Sequence, residues 1–166
     1  MAEAKTFIGK TAVLEGLAEH PAVKAILAWK PEALLDAKFD RGELTLTITA
    51  DQICAAASTV QEAGYNFFED VTAVDWFPSS PRFQLSYHIV SHSHKERIRL
   101  RVMLDGAAPT VESITPVWPA ANFYEREVFD LFGIVFEGHP NLCRIMMPDD
   151  WQGHPLRKDY PVEGYR

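Results

Sequence analysis

The chain has 166 residues, 47% of them apolar, which suffices for one domain with a real core and excludes disorder by composition. A formal net charge of -7 argues against a nucleic-acid phosphate partner, which calls for a basic surface. The cysteines, Cys54 and Cys143, lie far apart in no CxxC pattern; this argues against a disulfide framework, a structural zinc site or an iron–sulfur site of the chain's own, and fits a reducing compartment.

The opening "MAEAKTFIGK" lacks the basic-then-apolar pattern of a signal peptide. No apolar run approaches the ~20 residues of a membrane span, so any membrane attachment is expected through another protein. Residues 11–29 read as one or two short helices, with Val13, Leu14, Leu17 and then Val23, Ile26, Leu27 at helical spacing and Pro21 as a break. "ELTLTIT" alternates strictly, with Leu44, Leu46 and Ile48 on one face and threonines on the other, which predicts a half-exposed strand. Asp51 is placed to cap a helix whose stripe is Ile53, Ala56, Ala57 and Val60, with Gly64 as its stop.

"NFFEDVTAVDWF" reads as extended, and "SSP" from Ser79 to Pro81 as a turn. "RFQLSYHIVS" and "ERIRLRVML" alternate again around the polar "HSHK", which predicts an antiparallel hairpin. "DGAAPT" is a loop, and the stretch from Val111 to Phe132 should give a short extended piece and then a helix beyond Pro116 and Pro119. The order of elements implies an α+β fold: an antiparallel or mixed sheet with helices packed on one face. From Gly138 the chain is dense in Pro, Gly and charge without a sustained period, yet rich in aromatic residues. The expected organisation is an α+β domain over 1–137 and an extended tail over 138–166 that folds by lying against something.

Few residues suggest chemistry. His88, His92 and His94 would share a strand face, a spacing that suits metal ligands, but Glu96 is the one carboxylate nearby and a hairpin tip needs polar residues anyway. His139 and His154 each stand in Gly-His-Pro; an acid–base role is weighed against a simple extended corner before proline, and the corner is preferred. Cys54 reads as a small core residue, and Cys143 has Arg144 beside it but no evident base. No phosphate loop, nucleotide fingerprint or GxSxG element is present.

The segment "NFYEREVFDLFGIVFEGHP" sets Glu125, Arg126, Glu127 and Asp130 among apolar side chains on every face. As a helix it places Arg126 and Asp130 at i,i+4, the spacing of an ion pair. Apolar residues all round predict cover on both sides, one by this protein's sheet and one by a partner chain. The carboxylates and Arg126 are then expected to be completed by foreign protein. An interface is favoured over acid–base catalysis because no ligand-binding motif accompanies the cluster.

"YEREVFDLFGIVFEGHPNLCRIMMPDDWQGHPLRKDYP", from Tyr124 to Pro161, resembles the C-terminal signature of the C subunit of NADH-quinone oxidoreductase, and "DVTAVDW" resembles a strand of that family. The family usually carries a basic residue where this chain has Cys143. The resemblance implies a cofactor-free subunit of the hydrophilic arm of respiratory complex I, or of a related hydrogenase-type enzyme. FMN, iron–sulfur clusters and quinone are expected in partner subunits. It also implies a large hydrogenase-like quinone-site partner (D type) and iron–sulfur partners (B and I types), at the cytoplasmic face of the bacterial inner membrane and peripheral to it. The implied interface comprises Glu125, Arg126, Glu127, Phe129, Asp130, Phe132 and Gly133 on the helix. In the tail it comprises His139, Pro140, Arg144, Trp151, His154, Pro155, Leu156, Arg157, Lys158, Asp159, Tyr160 and Pro161. Truncation after Pro148 is expected to release the subunit and leave its domain folded.

Overall fold

The computed structural model describes residues 16–164, so the helical reading of residues 11–15 lies outside the described residues. Helix α1 (Pro21–Trp29) begins on its proline, whose fixed φ and missing N–H suit the first turn; Pro21 therefore opens a helix here. Strands β1 (Leu34–Asp40) and β2 (Glu43–Ile48) pair antiparallel, with Asp40 opposite Glu43 across the turn. Helix α2 (Ile53–Glu62) buries Ile53, Ala56, Ala57 and Val60, the expected stripe, and the chain turns away at Gly64 with a left-handed φ of 99°. Asp51 does not cap it: it lies in a 3-10 turn over Ala50–Gln52 and accepts a bond from the Gln52 side chain instead.

Strands β3 (Phe67–Asp75), β4 (Phe83–Ser91) and β5 (Glu96–Leu104) form an antiparallel meander, and the expected hairpin is present in the register Phe83–Leu104 to Ser91–Glu96. The sheet order is β1-β2-β5-β4-β3, and the parallel contact of β2 with β5 makes it mixed. Strand β6 (Thr110–Glu112), helix α3 (Ala121–Phe132) and strand β7 (Val135–Glu137) follow, β6 and β7 pairing parallel in a small second sheet.

One sheet face is apolar and carries the core. Leu44, Leu46, Ile48, Ile98, Leu100 and Val102 are buried with Val23 and Ile26 of α1, Val60 of α2, and Val128 and Phe132 of α3 in one cluster. The helices thus share one face, as the α+β reading requires. The opposite face is polar but not open along β2: Thr45 is 8% exposed and Thr47 6%. This corrects the half-exposed reading of that strand. β2 lies between two neighbours, and the long side chains of Arg99 and Arg101 lie over its threonines, with Arg101 Nε 2.9 Å from Thr47 Oγ1.

Candidate functional site

Helix α3 carries two carboxylates with no solvent exposure, Glu125 and Asp130. Glu125 faces inward, where its Oε2 accepts from the Ser113 hydroxyl at 2.6 Å and its Oε1 from the Ile114 amide at 2.8 Å. Burial raises its carboxyl to about 7, although these two donors pull the other way. Tyr87, which feels the Glu125 charge, is buried with no hydrogen-bond partner for its hydroxyl among the described residues, and burial raises its phenol well above the ordinary value.

Asp130 faces the C-terminal segment. Its Oδ2 accepts three successive amides, Ile145 at 3.0 Å, Met146 at 2.8 Å and Met147 at 2.8 Å, while Oδ1 takes the Arg144 guanidinium at 2.5 Å. Burial works to raise this carboxyl, but the amides of Met147, Met146 and Ile145 and the Arg144 guanidinium outweigh it and hold it low. The same aspartate therefore stays ionised where Glu125 is pushed toward neutrality. Glu125 lies deeper in the protein and has two donors, whereas Asp130 has four.

The C-terminal segment also closes the end of α3. A helix leaves its last carbonyls without intrahelical partners. Here the Asp130 carbonyl accepts from His154 Nδ1 at 2.9 Å, the Leu131 carbonyl from the Leu156 amide at 3.0 Å, and the Phe132 carbonyl from Arg157 Nε at 2.5 Å. Arg144 and Arg157 bring positive charge to the negative end of the helix dipole. Gly133 follows the helix with a φ of 71°, and a Cβ there would sit 2.5 Å from the His154 ring. A non-glycine residue is thus disfavoured both by conformation and by space.

Farther along, Arg82 clamps the segment to the sheet. It bonds Asp75 through Nε at 2.9 Å and Nη2 at 2.7 Å, and Asp159 at 3.0 Å and 2.6 Å. The Lys158 amide adds a bond to Asp75 at 2.8 Å. Arg82 is the main reason that the Asp75 carboxyl is lowered to about 2; burial opposes it, and the amides of Lys158 and Phe77 assist.

Two expectations are corrected by this geometry. Arg126 and Asp130 do not form the i,i+4 pair: Arg126 instead donates to the Cys143 carbonyl at 3.2 Å and the Arg144 carbonyl at 3.0 Å. Nor do Glu125, Arg126 and Asp130 wait for foreign protein, because the chain satisfies them itself. Contact with Cys143 uses its carbonyl, which any residue supplies, so the departure from the family's basic residue leaves that bond unchanged.

Of the expected interface residues, Glu127, Pro140, Trp151, Leu156, Lys158 and Asp159 are exposed. Phe132 and Gly133 are buried in their own chain, while Phe129, His139, Pro155, Tyr160 and Pro161 are half-buried. His139 donates from Nε2 to the Asn122 carbonyl at 3.2 Å and accepts the Asn141 amide at Nδ1, so both ring nitrogens serve structure. His88 binds Asp70 at 2.6 Å and Arg99 at 2.9 Å, and His94 binds the Ala63 carbonyl. Among the described residues no cluster of three or more His, Cys, Asp or Glu could hold a metal ion. Burial and the Glu112 and Glu125 carboxylates raise the Cys54 thiol.

Phe123 at 62% and Tyr124 at 37% are exposed on the segment expected to need a partner's cover, whereas sequence reasoning missed Ile145 at 40% and Met146 at 62%. The "RIMMP" run was the available signal, an apolar cluster inside an otherwise polar segment. A groove of about 330 Å³ runs between β3, α3 and the segment, lined by Val71, Tyr124, Leu131 and Leu156 among others.

Residues 46–166 match the family described as respiratory-chain NADH dehydrogenase, 30 Kd subunit. The C subunit of the NADH-quinone oxidoreductase of Citrifermentans bemidjiense is 47% identical over 133 residues, 80% of this chain and 83% of that protein. Its counterpart in Roseiflexus castenholzii is 45% identical over 148 residues, 87% of this chain and 85% of that protein. Among solved structures, a trypsin-resistant fragment (1-134) of Nqo5 superposes with a TM-score of 0.63 at 30% identity, covering 73% of this chain and 99% of the fragment. A chain of the membrane-bound sulfane sulfur reductase, an archaeal respiratory membrane complex, superposes with a TM-score of 0.73 at 29% identity over 84% of each chain. With the match running from within β2 through β3, β4 and β5 to the clamped C-terminal segment, this chain belongs to the family of the respiratory-chain NADH dehydrogenase 30 Kd subunit.

Proposed function

We propose that the chain is the C subunit of an NADH-quinone oxidoreductase, holding neighbouring subunits in place while they carry electrons from NADH to quinone. In this reading it carries no redox group of its own; FMN, iron–sulfur clusters and quinone belong to the partners. Electron transfer falls steeply with distance between centres, so a rigid spacer has functional value without chemistry. The proposed partners are the large hydrogenase-like quinone-site subunit (D type) and iron–sulfur subunits (B and I types), at the cytoplasmic face of the bacterial inner membrane. No helix among the described residues is long and apolar enough to cross a membrane, so contact with the bilayer is proposed to be indirect.

The observation that carries this reading is the division of labour in the C-terminal segment. Its backbone is bonded to α3 and the sheet, while Met146, Trp151 and Leu156 remain exposed at 62%, 39% and 50%. A segment pinned by its polar groups with apolar side chains left outside suits a partner surface. Pinning also lowers the ordering cost of association.

Affinity purification of the tagged full chain from its own cells tests this. Quinone-site and iron–sulfur subunits are expected to co-purify, and Met146→Glu combined with Leu156→Glu to reduce their recovery several-fold. A wild-type chain that purifies alone overturns the proposal. The likeness to the sulfane sulfur reductase chain favours one alternative, the same role in another respiratory membrane complex, and the identity of the co-purified subunits separates the two.

A further inference from the structure

The helix-free face of the sheet lies apart from α3 and its clamp. Strand β5 sends Arg97, Arg99 and Arg101 to that face at every second residue. With Lys38 and Arg41 they line an open concavity of about 620 Å³. Five basic side chains line it with the carboxylates Asp40 and Glu43, and two more carboxylates, Glu69 and Asp36, reach Arg97 and Arg101 at 3.4 Å, in a chain whose formal charge is -7.

These cations are unequally neutralised. Glu43 serves both Arg97, at 2.7 Å, and Arg99. Arg101 spends its Nε and Nη2 donors on one neutral hydroxyl, Thr47, and meets a carboxylate only at 3.4 Å, the exposed Asp36. Arg41 has no hydrogen bond or ion pair among the described residues. Lys38 pairs with Asp40 at 3.1 Å but is 62% exposed.

The arrangement distinguishes between kinds of anion. A compact polyphosphate wants converging guanidinium forks or a nest of backbone amides. Here the donors of Arg97 are taken by Glu43 and Glu69 and those of Arg99 by Glu43, His88 and Thr45, and strand side chains make up most of the lining. The available positive ends stand at separate levels, Arg101 opposite Thr47 and Arg41 in the turn between β1 and β2. Separated single charges over a broad floor suit carboxylates spaced along a peptide.

We propose that this concavity docks an acidic polypeptide segment of a partner subunit, whose carboxylates would meet Arg101, Arg41 and Lys38. The inference rests on the reading of the chain as one subunit of a larger assembly, and one experiment separates the two. The purified assembly and the isolated full chain are treated with an amine-acetylating ester, and Lys38 is quantified by mass spectrometry. Lys38 is expected to react several-fold more slowly in the assembly, and a carbodiimide to couple it to a carboxylate of another subunit. Equal reactivity in both overturns the docking site and leaves the assembly reading intact. If no subunits co-purify, the assembly reading fails and the isolated chain decides the matter. It is then expected to bind a fluorescent glutamate-rich peptide in a salt-dependent manner, about tenfold more tightly than an Arg41→Gln/Arg101→Gln chain. Arg41→Gln alone, which breaks no internal bond, should weaken binding in the same direction. Equal binding by all three chains, or displacement of the peptide by inorganic triphosphate at lower concentration, overturns the inference.

Discussion

Glu125 and Asp130 are equally inaccessible to solvent, yet their surroundings drive them to opposite protonation behaviour. Glu125 is raised from 4.5 to about 7, so between those values the unfolded chain gives up a proton that the folded chain keeps. Stability from this group is complete below the lower value and declines as pH rises through the upper one. The span corresponds to about 3 kcal/mol. Replacing Glu125 by Gln should remove that slope: in urea unfolding at pH 5 and pH 8, the wild type is expected to lose stability relative to Glu125→Gln as pH rises. Asp130 is lowered, so its contribution is present at neutral pH and lost in acid. Asp130→Asn would turn an amide toward donors, either the Arg144 guanidinium or the three amides, at a cost of about 3 kcal/mol. Faster tryptic cleavage at Arg144 and Arg157 is the expected sign. That both positions are charged was legible in the sequence. Which donors reach them was not, because those donors lie 11 to 17 positions away in the chain.

At the scale of elements, α3 ends where it does because Gly133 adopts a left-handed turn and the returning chain supplies donors to its carbonyls. Gly133→Ala is expected to cost at least about 1–2 kcal/mol from backbone strain alone. Displacement of the His154 ring adds to this, and loss of protection of the Leu156 amide in hydrogen exchange would report it. Strand alternation identified β2, β4 and β5 because a period of two survives in any sheet. It misjudged the exposure of β2, because burial depends on the strands placed on either side. Asp51 shows the same limit. Its residue type suits a cap, but the preceding 3-10 turn moves the helix start beyond it.

At the scale of the molecule, the C-terminal segment is part of the fold and not merely an arm. Truncation after Pro148 removes His154, the Leu156 amide and Arg157, and with them three bonds to the end of α3. At about 1 kcal/mol per bond, a loss of about 3 kcal/mol is expected, with faster hydrogen exchange in the last turn of α3. The truncated domain should therefore be weakened as well as released, which urea unfolding of the shortened chain would measure. Retention of full stability would place the segment's role wholly in assembly.

The sequence by itself determined the α+β class, the β4–β5 hairpin, the stripe of α2 and the family, since these rest on local periodicity and on a long uninterrupted motif. Only the tertiary structure decided the parallel contact of β2 with β5, the internal partners of Glu125 and Asp130, and the basic concavity beneath the β1–β2 turn. Each of those depends on groups distant in the chain, and hydrogen bonding and charge act through distance in space, which residue order alone does not encode.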